Sequence, residues 1–425
     1  MHRQTPRCVT TLLTLHRLAI DLARAIRRSA RGRPAATTKP VQRGRLAPPT
    51  PARKARTAKT CGTEVGQHWV SSPPLQHVEF PGGHLDVNIL IIGGTRNLGH
   101  FLTLSLVSRG HCVTLLNRGQ TRDDLPAGIP RLRADRCDEA QLRGALVGRE
   151  FDAVVDTALY RGREAREVVD VLDGRVGRFV FISTGQVYLV RTGAARPFSE
   201  EAYSGALMAE PQGSSSDLND WRYGIEKREA EDVLAEAWER RCFPVTSLRL
   251  PMVASERDHY SRIHGYLLRL RDGGPLLLPR PPWLGVRHVD VHDVVAAIER
   301  LLASSAGLGR TYNVSPDETL TLGAFLDLLA TIACVPKRTV LVDRALLESR
   351  ALLPACSPMS DAWMSELDNA RGRSELGLSY TRVAETLRRI VAHYDAHPGP
   401  SPASYGRRAE ELALAKEAGC PNASA

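Results

Sequence analysis

Tyr223 and Lys227 stand four residues apart in the segment Tyr-Gly-Ile-Glu-Lys. On a helix that spacing puts a phenol and an ammonium on one face, a turn apart. A free phenol, with a pKa near ~10, is a poor proton donor or acceptor at neutral pH. A neighbouring cation favours the phenolate and lowers that value, so the pair is expected to do acid–base work. Upstream, the apolar run Phe179-Val-Phe-Ile-Ser-Thr-Gly-Gln-Val-Tyr188 carries two hydroxyls, Ser183 and Thr184, at its polar end. A hydroxyl there can orient a substrate oxygen beside the phenol. Taken alone, a Tyr and a Lys at this spacing occur by chance on many helices. The surrounding elements give the pair its weight.

Those elements begin at Val87. Asn88-Ile-Leu-Ile-Ile92 is a short continuous apolar run followed by glycines, the pattern of a strand buried on both faces. Strands are expected near 113–116, 132–134, 153–156, 179–183 and 245–250. Helices are expected at 98–109, 139–146, 161–172 and 221–240. This alternation predicts an α/β, Rossmann-type doubly wound parallel sheet. Beyond Pro251 short strands mix with helices at 260–272, 291–302, 322–332 and 382–396. A smaller C-terminal substrate-binding lobe, mainly 251–397 and interleaved with the end of the sheet, is expected on a core of about 87–250. Residues 398–425 read as a Pro/Ser-rich tail ending in a short charged helix with no assigned role.

Gly93-Gly94-Thr95-Arg96-Asn97-Leu98-Gly99 joins the first strand to the first helix. The tight turn needs Gly93, Gly99 lets the helix close on the sheet, and the helix N-terminus is placed for a pyrophosphate. Arg96 replaces the usual middle glycine and offers a guanidinium to a phosphate. The second strand ends Asn117-Arg118 where an acidic residue would bind the ribose of NAD. Arg suits a 2′-phosphate, so NADP(H) is favoured over NAD(H). Asp135 is expected at the adenine edge, Thr157 and Ala158 beside the ribose and nicotinamide, and Pro251 at the end of the sixth strand. Lys227 is expected to hold the ribose as well as to tune Tyr223.

The glycine turn, Ser183-Thr184…Val187-Tyr188, Tyr223…Lys227 and His288-Val-Asp-Val-His-Asp293 follow one another in an order that resembles the extended short-chain dehydrogenases/reductases, the NAD-dependent epimerase/dehydratase group. The Gly-Gly-Thr-Arg turn, Asn117-Arg-Gly119 and Asp368-Asn-Ala-Arg…Glu-Leu-Gly377 look like one branch. That branch contains bacterial isoflavone-reductase-like proteins and chloroplast stem-loop-binding proteins. The resemblance covers roughly 87–394. It implies Thr184 as the catalytic hydroxyl, Tyr223 as the acid–base and Lys227 as its partner. Two departures weaken a nucleotide-sugar substrate. The turn after Arg249-Leu-Pro251 lacks a Gly-Pro, and Val286 stands where such enzymes often carry an Arg, with Arg287 beside it. Asp290 and Asp293 read as helix-start residues.

The net charge of +10 is concentrated at the N-terminus, where residues 1–86 carry 15 Lys and Arg against Asp21, Glu64, Glu79 and Asp86. The rest of the chain is therefore close to neutral, which argues against nucleic acid as a partner. The basic segment, rich in Pro, Ala, Thr and Arg, reads as a disordered extension. A transit peptide and a nucleic-acid tail are alternatives. The favoured reading is upstream sequence of a GC-rich gene, with 51 Arg to 6 Lys, Gly82-Gly83 marking a ribosome-binding stretch and Val87 the true start. Eight scattered cysteines without metal-like spacing point to reduced thiols and no metal site. No stretch reaches the ~20 apolar residues of a membrane helix, so a cytoplasmic protein is expected. Helices such as 221–240 offer a face for a homodimer. The leading expectation is an oxidoreductase or epimerase moving a hydride between nicotinamide and a carbonyl or secondary alcohol of a small metabolite. A nucleotide-sugar epimerase/dehydratase and an RNA-binding or cofactor-sensing protein are the rivals.

Overall fold

A computed structural model describes residues 87–212 and 215–419. The readings of residues 1–86 lie outside the described residues. Chain order runs β1 (Asn88–Ile92), α1 (Asn97–Ser108), β2 (Cys112–Asn117), β3 (Arg131–Arg133), α2 (Glu139–Leu146), β4 (Phe151–Asp156), α3 (Gly162–Leu172), β5 (Val176–Thr184), α4 (Gln186–Leu189), α5 (Ser215–Arg241) and β6 (Val245–Leu250). Then come β7 (Met252–Ala254), α6 (Arg262–Arg271), β8 (Leu276–Pro279), β9 (His288–Asp290), α7 (Val291–Leu302), β10 (Arg310–Asn313), α8 (Leu322–Ile332), β11 (Thr339–Val342), α9 (Arg344–Ser349), α10 (Ala370–Leu376), α11 (Val383–Ala396) and α12 (Arg408–Gly419).

The main sheet has seven strands in the order β10-β6-β5-β4-β1-β2-β3, with every pair parallel. Side chains alternate across it, as strand geometry requires. Ile89 and Ile91 face one core with Leu102 and Leu106 of α1 and Val294 and Ile298 of α7. Leu90 and Ile92 face the other, with Leu142 of α2, Val168 of α3 and Leu234 of α5. Strand order reverses beside β1, which opens a crevice at the carboxyl ends of β1 and β4.

β10 returns to the main sheet after the lobe has begun. Its sequence Arg-Thr-Tyr-Asn carries a single apolar residue, so nothing in its pattern announces a strand. Helix α5 starts at Ser215, earlier than the 221 expected from its periodicity. In the lobe α6, α8 and α11 share one core around Leu267, Phe325 and Ile390. The last helix is bound to that lobe rather than trailing from it. Arg269, fully buried, donates to the carboxylate of Glu411 on α12 through Nε (2.8 Å) and Nη2 (2.5 Å), and Leu414 and Ala415 are buried. The short charged helix, given no role from its sequence, is thus anchored by one of its charges.

Candidate active site

The crevice at the switch point is a cleft of about 550 Å³ lined by the whole 93–99 turn, Asn117, Arg118, Asp135, Thr157, Ala158, Thr184, Tyr223, Lys227 and Pro251. Sequence positions spread over more than 150 residues thus meet on one wall system. Gly93 and Gly94 have φ of 103° and 76°, in the left-handed region glycine favours. A Cβ on Gly93 would lie 2.1 Å from Thr157 Oγ1, and one on Gly99 would lie 2.7 Å from the Gly94 backbone. The helix therefore closes onto the turn because both positions lack a side chain. Arg96 at the N-cap of α1 makes no side-chain cap, so the free N–H groups of that helix start face the cleft. Its Nη2 donates to Thr121 Oγ1 at 2.8 Å across the mouth.

At the far end Arg118 is 59% exposed, with Nη1 3.8 Å from Asp135 Oδ2. Arg133 Nη1 donates to Asn117 Oδ1 at 2.5 Å. Two guanidiniums thus gather where β2 ends, and Asn117 presents no carboxylate. Behind them Arg136, 5% exposed, pairs with the fully buried Asp156 at 2.7 Å, while its Nη1 has no hydrogen-bond partner. That Nη1 lies 3.6 Å from Glu164 Oε2, so the guanidinium is held between two carboxylates, and it is the glycine cradle and the uncapped helix start that suit an anionic dinucleotide.

Tyr223 and Lys227 lie on α5, and Gly224 between them is what brings the helix in. A Cβ there would stand 2.6 Å from Val190 Cγ1 and 2.9 Å from Gln186 O. Thr184, at the end of β5, lines the same cleft as the Tyr223 phenol. Lys227, 3% exposed, donates through Nζ to Leu159 O (2.6 Å) and Ile182 O (2.8 Å). The Nζ sits 4.7 Å from the ring centroid of Tyr160 and 4.8 Å from that of Phe181. Desolvation lowers the Lys227 ammonium to about 7, opposed by the charges of Asp156 and Glu231. Burial pushes the Tyr223 phenol up, and the Thr184 hydroxyl pulls it back. This reverses the expectation that Lys227 would depress the phenol. The pair shares a dry wall, so each group is driven towards its neutral form.

Ser183 and Thr184 part company because neighbouring strand residues face opposite ways. Ser183 Oγ donates to Glu231, which in turn binds Arg249 through Nε (3.1 Å) and Nη2 (2.5 Å). Arg249 also donates to Tyr188 OH at 2.7 Å, and that hydroxyl donates to Asn313 Oδ1 at 2.8 Å. This buried network fixes β5, β6 and β10 behind the site and leaves Thr184 to the cleft. A second cavity of about 780 Å³ opens on the lobe side and shares Thr184, Tyr223, Tyr160, Asn97, Pro251 and His259 with the first. Sequence reasoning missed Tyr160, whose ring centroid is 5.8 Å from that of Tyr223, and His259, because each arrives from a loop without a motif. Asp290 caps α7 through His292 N (2.9 Å), as read, whereas Asp293 accepts from Thr381 N and Oγ1, both at 2.8 Å.

The parallel sheet, the glycine turn running into an uncapped helix and the cleft across the switch point define a Rossmann-type dinucleotide-binding protein. Residues 89–315, more than half of the chain, match the NAD dependent epimerase/dehydratase family, and the chain belongs to that family. Among curated proteins it is 36% identical over 116 residues to the chloroplast stem-loop binding protein of 41 kDa b of Arabidopsis thaliana, covering 24% of this chain and 30% of that protein. It is 24% identical over 227 residues to 2′-dehydrokanamycin reductase of Streptomyces kanamyceticus, covering 52% of this chain and 60% of that one. The chain thus spans less than two thirds of the length of either. Its fold is similar to that of the Bordetella bronchiseptica enzyme WbmG, solved with NAD and UDP, at a TM-score of 0.59 and 20% identity over 75% of this chain and 96% of that one. No helix among the described residues is long and apolar enough to cross a membrane.

Proposed function

We propose that the chain is an NADP(H)-dependent oxidoreductase or epimerase in which Thr184, Tyr223 and Lys227 act on a carbonyl or secondary alcohol of a small metabolite. The observation that carries this reading is the position of Thr184 and Tyr223 on the wall common to the two cavities, with Lys227 behind them. Gly93, Gly94 and Gly99 would admit the dinucleotide with Thr95, Asn97 and Leu98 around its pyrophosphate, and Asp135, Thr157, Ala158 and Pro251 would line its length. A bound nicotinamide supplies or removes the hydride. Tyr223, kept protonated by its dry surroundings, donates its proton to a substrate oxygen, and Thr184 orients that oxygen.

Arg118 and Arg96, with no carboxylate at the end of β2, support NADP(H) over NAD(H). A nucleotide-sugar substrate finds less support. Arg287 lines the second cavity but donates to Thr319 Oγ1 (2.7 Å), Leu367 O (2.6 Å) and Asp317 O (3.3 Å), which leaves no free fork for a diphosphate. The test is Tyr223→Phe. It should keep dinucleotide affinity and lower single-turnover hydride transfer by ~10²–10⁴-fold, the usual contribution of a general acid. Transfer at the wild-type rate would remove Tyr223 from the mechanism, and no transfer by the wild type with any carbonyl or alcohol substrate would favour a binding protein.

A further inference from the structure

The lobe-side cavity has a charge pattern that the reaction itself does not require. Asp220 lies on α5 one turn before Tyr223 and Asp361 on the facing loop, and both line the cavity. Among the described residues neither has an ion-pair partner. Asp220 accepts one hydrogen bond, from Gln186 Nε2 at 3.3 Å, and Asp361 accepts one from Trp363 N at 2.9 Å. The cations nearby are committed elsewhere. Arg262 pairs with Asp258 at 3.2 Å, Arg344 with Glu348 at 3.6 Å, and Arg287 is held by the three acceptors given above.

A second feature is independent of these carboxylates. Ser365, 8% exposed, lines the same cavity with its hydroxyl against Gly185, the residue after Thr184, and that hydroxyl has no hydrogen-bond partner among the described residues. Gln186, also 8% exposed, spends its N–H on Asp220 and keeps its amide oxygen without a partner. Both residues line the cavity, and their oxygens are open to a ligand that can hydrogen-bond them. The cavity beside the reacting atoms is thus rich in acceptors and short of free cations.

Resting on the reading that Thr184 and Tyr223 face the substrate, we propose that this cavity selects a substrate carrying a protonated amine near the reacting carbon–oxygen group, with Asp220 and Asp361 as its counter-ions. An aminated sugar or cyclitol has this chemistry: an ammonium with three donors and hydroxyls for Ser365 and Gln186. Both carboxylates are held above their ordinary range, although Arg262 acts against the rise at each and Arg344 against that of Asp361. Burial, then Asp361 and Asp217, push Asp220 up to about 6, and burial also pushes Asp361 up. An ammonium between them would relieve that repulsion.

Glucosamine, N-acetylglucosamine and glucose share one frame and differ in charge, so they serve as probes. Each is titrated calorimetrically at neutral pH, with and without NADPH, against wild type, Asp220→Asn and Asp361→Asn, beside uridine diphosphate glucose. Glucosamine should bind about tenfold or more tightly than the two neutral sugars, as expected for a hydrogen bond to a charged group. Each Asn variant should erase most of that preference and leave NADPH affinity unchanged. Equal affinities, no binding by any of the three sugars, tighter binding of uridine diphosphate glucose, or a preference that survives both substitutions overturns the proposal. Failure of the wild type to bind NADPH would instead strike the oxidoreductase reading, and the sugar preference would still be read from the titrations without it.

Discussion

Lys227 is buried under Tyr160 with its ammonium lowered to about 7, whereas in the unfolded chain it is an ordinary lysine. Its folded pKa lies below its unfolded one, so the unfolded state binds more protons throughout the interval between them. Stability therefore rises with pH across that window and is flat below it. Between about pH 7 and about pH 9 the unfolded lysine keeps its proton almost fully, while the folded one goes from half charged to nearly neutral. Integrating the difference gives a gain of about 2 kcal/mol from this one side chain. Lys227→Met removes the titration. The variant carries its own cost from the stranded Leu159 and Ile182 carbonyls, but that cost does not vary with pH. Urea unfolding of both proteins at the two pH values isolates the effect as a double difference, in which other titrating groups cancel. Wild type should gain about 2 kcal/mol on the variant as pH rises. A double difference near zero, or of the opposite sign, would mean that the ammonium is solvated, and the account of a dry wall that keeps Tyr223 protonated would fall with it.

Arg118→Asp places a carboxylate where β2 ends and should turn a preference for NADPH into one for NADH, read by fluorescence titration of both. Tighter NADH binding by the wild type would contradict the cofactor assignment. Gly99→Ala puts a Cβ 2.7 Å from the Gly94 backbone, which cannot yield as a side chain could. It should cost about 1–3 kcal/mol of stability and most of the dinucleotide affinity, checked by urea unfolding and the same titration. Glu411→Gln leaves Arg269 buried and charged without its counter-ion, so it should cost about 3–5 kcal/mol. A variant as stable as the parent would show that α12 is not anchored by this pair.

What could be read from the chain, and what could not, follows from how local each signal is. The first strand, the glycine turn and the Tyr223–Lys227 spacing are carried by runs of a few residues, so periodicity and turn chemistry expose them. Ser183 and Thr184 were legible from their own residues only as a pair, and it was the family resemblance that pointed to Thr184. Parity on β5 decides between them, and the deciding partner, Glu231, lies on α5. β10 escaped because its place in the sheet depends on pairing with β6 rather than on its own four residues. The sign of the Lys227 effect was unreadable for a different reason. Spacing puts the ammonium near the phenol, but its charge state depends on Tyr160, Phe181 and the two carbonyls that enclose it. Asp220 shows the same limit from the other side. Three residues before Tyr223 on a polar helix it looks like a solvated charge, and only the fold brings Asp361 into the same cavity. Chemistry encoded along one element can be read before folding. Chemistry encoded across elements, such as the meeting of Asp220 with Asp361, exists only once the lobe has closed over the sheet.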